Sequence, residues 1–215
     1  SGIVVGDRRY MGATRNAGEI GHTIVEPGGP ICYCGNYGCL ESLASPAAVL
    51  EQTLAAIRKG VHSSIVPRLS GDLSKVSPAQ IYQAADQGDR LAANVVGRAA
   101  EYIGMALANL VNFFNPEMVV FGGSVLSSGH RVLNETLERT FRSRVLPALQ
   151  DLTLVRCSNL GRNAGALGGK LLGAGGGGFL LLYVRPEDQP RLRLAMGDVI
   201  EAPFAFETGG ARIVY

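Results

Sequence analysis

No apolar run in the 215 residues reaches the roughly 20 that a membrane-crossing helix needs, which excludes a helical membrane span. Charge of one sign is scarce as well. Twenty Lys and Arg against 18 Asp and Glu leave a net charge of +2. The basic residues are scattered, so no nucleic-acid-binding face is expected. No hydrophobic leader precedes the cysteines; an oxidising compartment is not indicated, and a cytoplasmic protein is expected. Cysteine itself is sparse, with four in the chain, yet three of them fall between positions 32 and 39. An apolar content of 47% is enough for a real core in one domain or two small ones.

Those three cysteines belong to the most informative stretch. Glu19-Ile20-Gly21-His22 is followed by Cys32-Tyr33-Cys34-Gly35-Asn36-Tyr37-Gly38-Cys39-Leu40-Glu41. Thiolate sulfur and imidazole nitrogen are the ligands of a tetrahedral structural zinc, and His22, Cys32, Cys34 and Cys39 would close its shell. The Gly-Asn-Tyr-Gly segment lets the backbone fold back around a small ion. A disulfide with spare thiols is the competing reading, but Cys32 and Cys34 are too close in sequence to bridge comfortably. Four protein ligands leave no open position, so the metal is expected to be structural. Glu19 and Glu41 bracket the cluster without being needed as ligands, and they look like groups that grip a substrate. Cys157 stands apart and reads as a small buried hydrophobe.

Ala17-Gly18-Glu19-Ile20-Gly21-His22 and Cys32-x-Cys34-Gly35-x-x-Gly38-Cys39-Leu40-Glu41 closely resemble the signature of the ROK family of repressors, open reading frames and sugar kinases. Asn115-Pro116-Glu117-Met118-Val119-Val120-Phe121-Gly122-Gly123 resembles the family's helix end, strand and glycine turn near the nucleotide. Leu160-Gly161-Arg162-Asn163-Ala164-Gly165-Ala166-Leu167-Gly168 resembles its closing helix start, so the likeness covers about residues 1–168. It implies that Glu19, His22 and Glu41 contact sugar hydroxyls, His22 serving metal and sugar alike. It also implies that Gly122, Gly123, Ala164 and Gly165 lie near adenosine and phosphate, through exposed N–H groups. The implied fold is α/β, an actin-like (ribonuclease H-like) ATPase lobe with a zinc-binding loop. A homodimer is the expected assembly.

Two family features are missing from these residues. No Asp-x-Gly-Gly-Thr phosphate loop occurs, and no Asn-Asp pair supplies the base for an attacking hydroxyl; Asp7 reads as a hairpin-turn residue. The sequence therefore looks like the C-terminal half of such a protein, and ATP with Mg2+ is expected only together with an N-terminal lobe. Phosphoryl transfer depends on positioning and electrostatic stabilisation, and half of the positioning groups are absent.

After Gly168 the pattern changes. Gly169-Lys170-Leu171-Leu172-Gly173-Ala174-Gly175-Gly176-Gly177-Gly178-Phe179-Leu180 resembles the third motif of GHMP small-molecule kinases, the heptose-phosphate kinases in particular. Residues 169–215 are accordingly expected to form a small α+β tail, again without that family's nucleotide loop. A glycine run suits either a flexible linker or a loop approaching an anion. The apolar stretch 179–184 behind it reads as a buried strand.

Elsewhere the elements alternate. A hairpin is expected from Gly2–Val5 and the segment after Arg8-Arg9. Ser45-Pro46 and Ser77-Pro78 each supply an N-cap and an N1 proline, for helices to Arg58 and Gln87. Ser64 to Val76 reads as a loop or short helix. The longest helix spans Asp89 to Phe114, with Leu91, Val95, Val96, Ala99, Ile103, Leu107, Leu110 and Phe114 at helical spacing. A strand at Met118–Phe121, a helix from Arg131 to Leu146, a strand at Thr153–Cys157 and a helix from Asn163 complete an α/β pattern. The function expected is ATP-dependent phosphorylation of a hexose or N-acetylhexosamine. The alternatives are a fragment of a sugar-sensing regulator, or an inactive fusion with a GHMP-type tail.

Overall fold

Two serine–proline pairs start the first long helices of the computed structural model, which describes residues 1–5, 8–68, 71–123, 129–151, 154–156 and 177–182. The chain forms two compact units. One comprises Ile20–Phe114 and Ser128–Gln150, and the other Ser1–Glu19, Asn115–Ser127 and Asp151–Tyr215.

The first unit is helical: α1 (Leu40–Ala44), α2 (Pro46–Arg58), α3 (Ile65–Arg68), α4 (Pro78–Asp86), α5 (Arg90–Phe114) and α6 (Arg131–Arg144). Ser45 accepts the Ala48 N–H with Pro46 at the helix start. Ser77 forms a full capping box with Gln80 behind Pro78. Each side-chain oxygen satisfies a donor that the helix cannot pair internally. The segment 64–76, expected as a loop or short helix, contains α3 and a 3-10 turn at Leu73–Lys75.

The 25-residue α5 organises this unit, with α1, α2, α4 and α6 all packed on it. Its buried set is broader than the expected stripe, adding Ala92, Ala100, Tyr102, Ala106, Ala108 and Val111 to Leu91, Val96, Ala99 and Leu107. Neighbours on several sides bury more than one face. Phe114 was expected on that stripe, but it is 40% exposed at the helix end. Asn115 follows at φ 44, a left-handed C-terminal cap before Pro116. α6 ends two residues earlier than expected, because Val145 and Leu146 turn extended ahead of Pro147.

α5 and α6 cross at Gly104. A Cβ there would stand 2.8 Å from the Leu137 carbonyl oxygen and 2.9 Å from Thr140 Cβ. Gly104→Val is therefore expected to destabilise by about 1–3 kcal/mol, the usual cost of overpacking. A urea midpoint equal to wild type would show that the crossing relaxes freely.

The start of α6 is capped from outside. Its own N-cap residue, His130, makes no side-chain cap bond. Instead the Asp86 carboxylate, at the end of α4, accepts from Val132 N at 2.9 Å and Arg131 N at 3.2 Å, with His130 Nδ1 also at 3.2 Å. The His130 ring stacks on Tyr82. Partial burial works to raise the Asp86 pKa, but the Val132 N–H, His130 and the Arg131 N–H hold it below its ordinary value. A carboxyl whose pKa is lowered by folding stabilises the protein above its unfolded pKa of about 3.9, and that contribution fades as pH falls through the folded value. Asp86→Asn should thus cost stability at pH 7, with the gap to wild type closing below about pH 4. Parallel melting curves against pH would test it, and a gap that widens in acid would contradict it.

The second unit carries a mixed sheet of β1 (Gly2–Val5), β2 (Arg8–Arg9), β3 (Met118–Gly123), β4 (Leu154–Arg156) and β5 (Gly177–Leu182), in the order β2-β1-β5-β3-β4. The second hairpin strand is Arg8–Arg9 itself rather than the segment after it. Met118, Val119, Val120 and Phe121 are all buried, the unbroken apolar run of a strand covered on both faces. β5 lies inside the sheet, parallel to β1 and antiparallel to β3. The apolar stretch after the glycine run is thus a strand from Gly177 to Leu182. The helix from Asn163, the Asp7 turn, Thr153, Cys157 and residues 183–184 lie outside the described residues.

Candidate functional site

The loop from His22 to Cys39 is tied by backbone bonds into a knuckle. Leu40 N donates to Thr23 O, Val25 N to Gly38 O, Gly38 N to Pro30 O, and Cys32 N to Asn36 O, at 2.7–2.9 Å. Ile24 bridges Cys39 and Ile31 bridges Tyr37. Gly38 is obligatory here: its φ is +70, and a Cβ would lie 1.7 Å from the Glu26 carbonyl oxygen. Glu26 also reaches α5 through Arg98, with Nη2 to Oε1 at 2.8 Å. That pair is largely exposed and contributes little energy by itself.

The knuckle brings together the four residues that the sequence groups. Ligand atoms of His22, Cys32, Cys34 and Cys39 all lie within 4.8 Å of one another. Tetrahedral zinc, with bonds of about 2.3 Å to sulfur and 2.0–2.1 Å to nitrogen, would hold ligand atoms about 3.8 Å (S to S) and 3.5 Å (N to S) apart. In the structure Cys34 Sγ and Cys39 Sγ are 3.7 Å apart, and Cys32 Sγ and His22 Nδ1 are 3.6 Å apart. The cluster fits such an ion. Cys32 and Cys39 are buried while Cys34 is exposed. The Asn36 backbone N–H lowers the Cys34 thiol to about 7, and burial pushes Cys39 up to about 12.

Glu41 follows in the first turn of α1, half-buried. A Cβ on Gly21 would stand 3.0 Å from Glu41 Oε2, so the glycine before His22 leaves room for that carboxylate. Glu19, half-buried, immediately precedes the 3-10 turn Ile20–His22 and belongs to the other compact unit. Gly122 and Gly123 end β3. Ala164 and Gly165 lie outside the described residues. The residue that the sequence reading passes over is Tyr33. Its hydroxyl lies 2.9 Å from His22 Nε2, and its ring meets the imidazole edge-on at 5.0 Å. A phenol between two ligand cysteines is the signal that could have found it.

Comparison with known proteins gives the family. Residues 1–174 match the ROK family, and the chain belongs to it. It is 34% identical to a glucokinase of Thermotoga maritima over 78% of this chain and 52% of that protein. It is also 34% identical to the transcriptional regulator NagC of Escherichia coli, over 73% of this chain and 37% of that one. The chain thus spans about half the length of the glucokinases it matches, and less of the repressors. Among solved structures, a ROK glucokinase from Streptomyces griseus in complex with glucose and AMPPNP superposes with a TM-score of 0.65 at 28% identity, over 76% of this chain and 53% of that one. A ROK transcriptional regulator homologous to Escherichia coli MLC gives 0.61 at 38% identity, over 69% and 36%. The family's fold is the expected actin-like ATPase. Among the described residues, no helix is long and apolar enough to cross a membrane.

Metal analysis of protein purified without chelator should find about one zinc per chain. Cys34→Ser should lower both that content and the melting temperature. Less than about half an equivalent, with the variant as stable as wild type, would refute the metal site.

Proposed function

We propose that this chain is the zinc-bearing, sugar-recognising half of a ROK-type sugar kinase acting on a hexose or N-acetylhexosamine. The observation that carries the proposal is the convergence of His22 with three cysteines, Glu41 following on α1 behind Gly21. Zinc would hold the knuckle, and Nδ1 of His22 faces the cysteine side. Glu19, Glu41 and Nε2 of His22 would bind sugar hydroxyls, the carboxylates as acceptors and the imidazole N–H as a donor. Gly122 and Gly123, with Ala164 and Gly165, would meet the nucleotide through backbone N–H groups. ATP, Mg2+ and the catalytic carboxylate would act from the family's N-terminal lobe, because these residues contain no Asp-x-Gly-Gly-Thr segment. Residues 169–215 would be the GHMP-like tail, whose strand β5 lies between β1 and β3 in the sheet. Exposed Phe113 and Leu146, 82% and 54% accessible, suit a homodimer.

A sugar-sensing regulator is the second reading. It is favoured by the 38% identity to the MLC-like regulator. Sugar binding through the same residues is common to both readings.

By itself the 215-residue chain should release no ADP in a coupled assay over hexoses, aminosugars and heptose phosphates. Turnover of about 1 per second, within the usual range for kinases, would overturn that assignment. Calorimetry with D-glucose and N-acetyl-D-glucosamine should show binding that Glu41→Gln weakens about ten- to hundredfold, the range for hydrogen bonds to a charged group. Equal affinities in the two proteins would remove Glu41 from the site.

A further inference from the structure

The bond between Tyr33 and His22 falls on the edge of the imidazole that a sugar would use. Nδ1 faces Cys32 Sγ at 3.6 Å, on the metal side of the knuckle. An Nδ1 whose lone pair is given to a metal leaves the ring's proton on Nε2. Nε2–H is then a donor, and its partner is the Tyr33 hydroxyl oxygen at 2.9 Å. Tyr33 thus places a hydroxyl oxygen on the donor that a ligand hydroxyl would need.

Tyr33 is 76% exposed, so its ring is not locked by a packed core. It approaches His22 edge-on, at an interplanar angle of 81°, rather than stacking over the ring and shielding it. A neutral hydrogen bond made in water is weak in net terms, and a tyrosine side chain has only two torsions to readjust. That one hydrogen bond orients the imidazole and is weak enough for a ligand hydroxyl to exchange with it.

We propose that Tyr33 is a specificity-determining placeholder: its hydroxyl satisfies His22 Nε2–H in the ligand-free protein and is replaced there by a sugar hydroxyl. This rests on the sugar-binding reading given above. Two consequences follow. With the tautomer set by ligation at Nδ1, the tyrosine holds the imidazole rotamer before ligand arrives, and it sets a threshold on affinity. A ligand without a hydroxyl at that position leaves Tyr33 in place and gains nothing from His22. A ligand with one exchanges like for like, so the hydroxyl is selected for geometry more than for strength.

The test uses the zinc-loaded chain and Tyr33→Phe, which keeps the ring and removes only the hydroxyl. Zinc content and melting temperature serve as controls and should match wild type. Calorimetric titration with D-glucose and N-acetyl-D-glucosamine should show Tyr33→Phe binding about two- to tenfold more tightly, since the competitor is gone. Nitrogen-15 NMR should show that the His22 Nε2–H signal exchanges with water faster in sugar-free Tyr33→Phe than in wild type, and that sugar narrows this difference. A purely structural tyrosine would move neither reading. Unchanged affinity and exchange, with wild type binding sugar normally, would overturn the placeholder and leave the sugar site standing. Weaker binding by Tyr33→Phe would also overturn it, making Tyr33 a direct sugar contact. If neither protein binds either sugar, the sugar site itself fails, and the placeholder with it.

Discussion

The knuckle at residues 22–39 cannot be held by burial, and that constraint governs the site. Its large apolar side chains point outward: Ile24, Ile31, Tyr33 and Tyr37 are 55%, 65%, 76% and 58% exposed. What it buries are two thiols, Cys32 and Cys39. A segment of this kind gains too little from leaving water to offset the entropy of fixing its backbone. Convergent ligands and a ladder of backbone bonds must supply the order instead. The bridge at Cys39, the Thr23–Leu40 bond and the Glu26 carbonyl against Gly38 all hold the same small volume. Glu41 inherits its position from that ordering, because α1 begins one residue after the last cysteine.

The site was legible in the sequence where chemistry is written in residue type and spacing. His22, Cys32, Cys34 and Cys39 could be grouped because thiols and imidazoles rarely gather without a metal to share. Glycines at 21 and 38 could be noticed as motif members, but their reasons were three-dimensional: the approach of Glu41 to one and of the Glu26 carbonyl to the other. Tyr33 sits in plain view between two cysteines, but what its hydroxyl does shows only once it is seen beside Nε2. In the fold, Ser-Pro caps and the period of α5 were readable because both are local. The full breadth of α5 was not, since it depends on how many helices pack around it. Nor was the Asp86 cap, which joins the end of one helix to the start of another.

The lobe has two kinds of relative, an enzyme and a transcriptional regulator, as the glucokinase and NagC matches illustrate. Under the proposed sugar binding, the physics of recognition would be the same in each. Hydroxyls must meet fixed acceptors and donors, and a rigid knuckle with pre-oriented side chains reduces what binding has to organise. Fold and recognition motif alone therefore leave both outcomes open, as is usual for a widely reused scaffold.

The position of β5 has a consequence for the order in which the protein assembles. Gly2 pairs with Leu180, and Val119 with Leu181, so one late strand joins the two earlier halves of the sheet. At synthesis rates of about 5–20 residues per second, the first strand waits roughly 10–35 seconds before its partner emerges. Until then the edges of β1 and β3 that β5 later fills offer unpaired N–H and C=O groups to any neighbouring chain. The helical unit built on α5 ends at Gln150, so all of it emerges before β5 does. This sheet is thus a late closure, and until β5 arrives the strands made before it are the ones most exposed to misassociation.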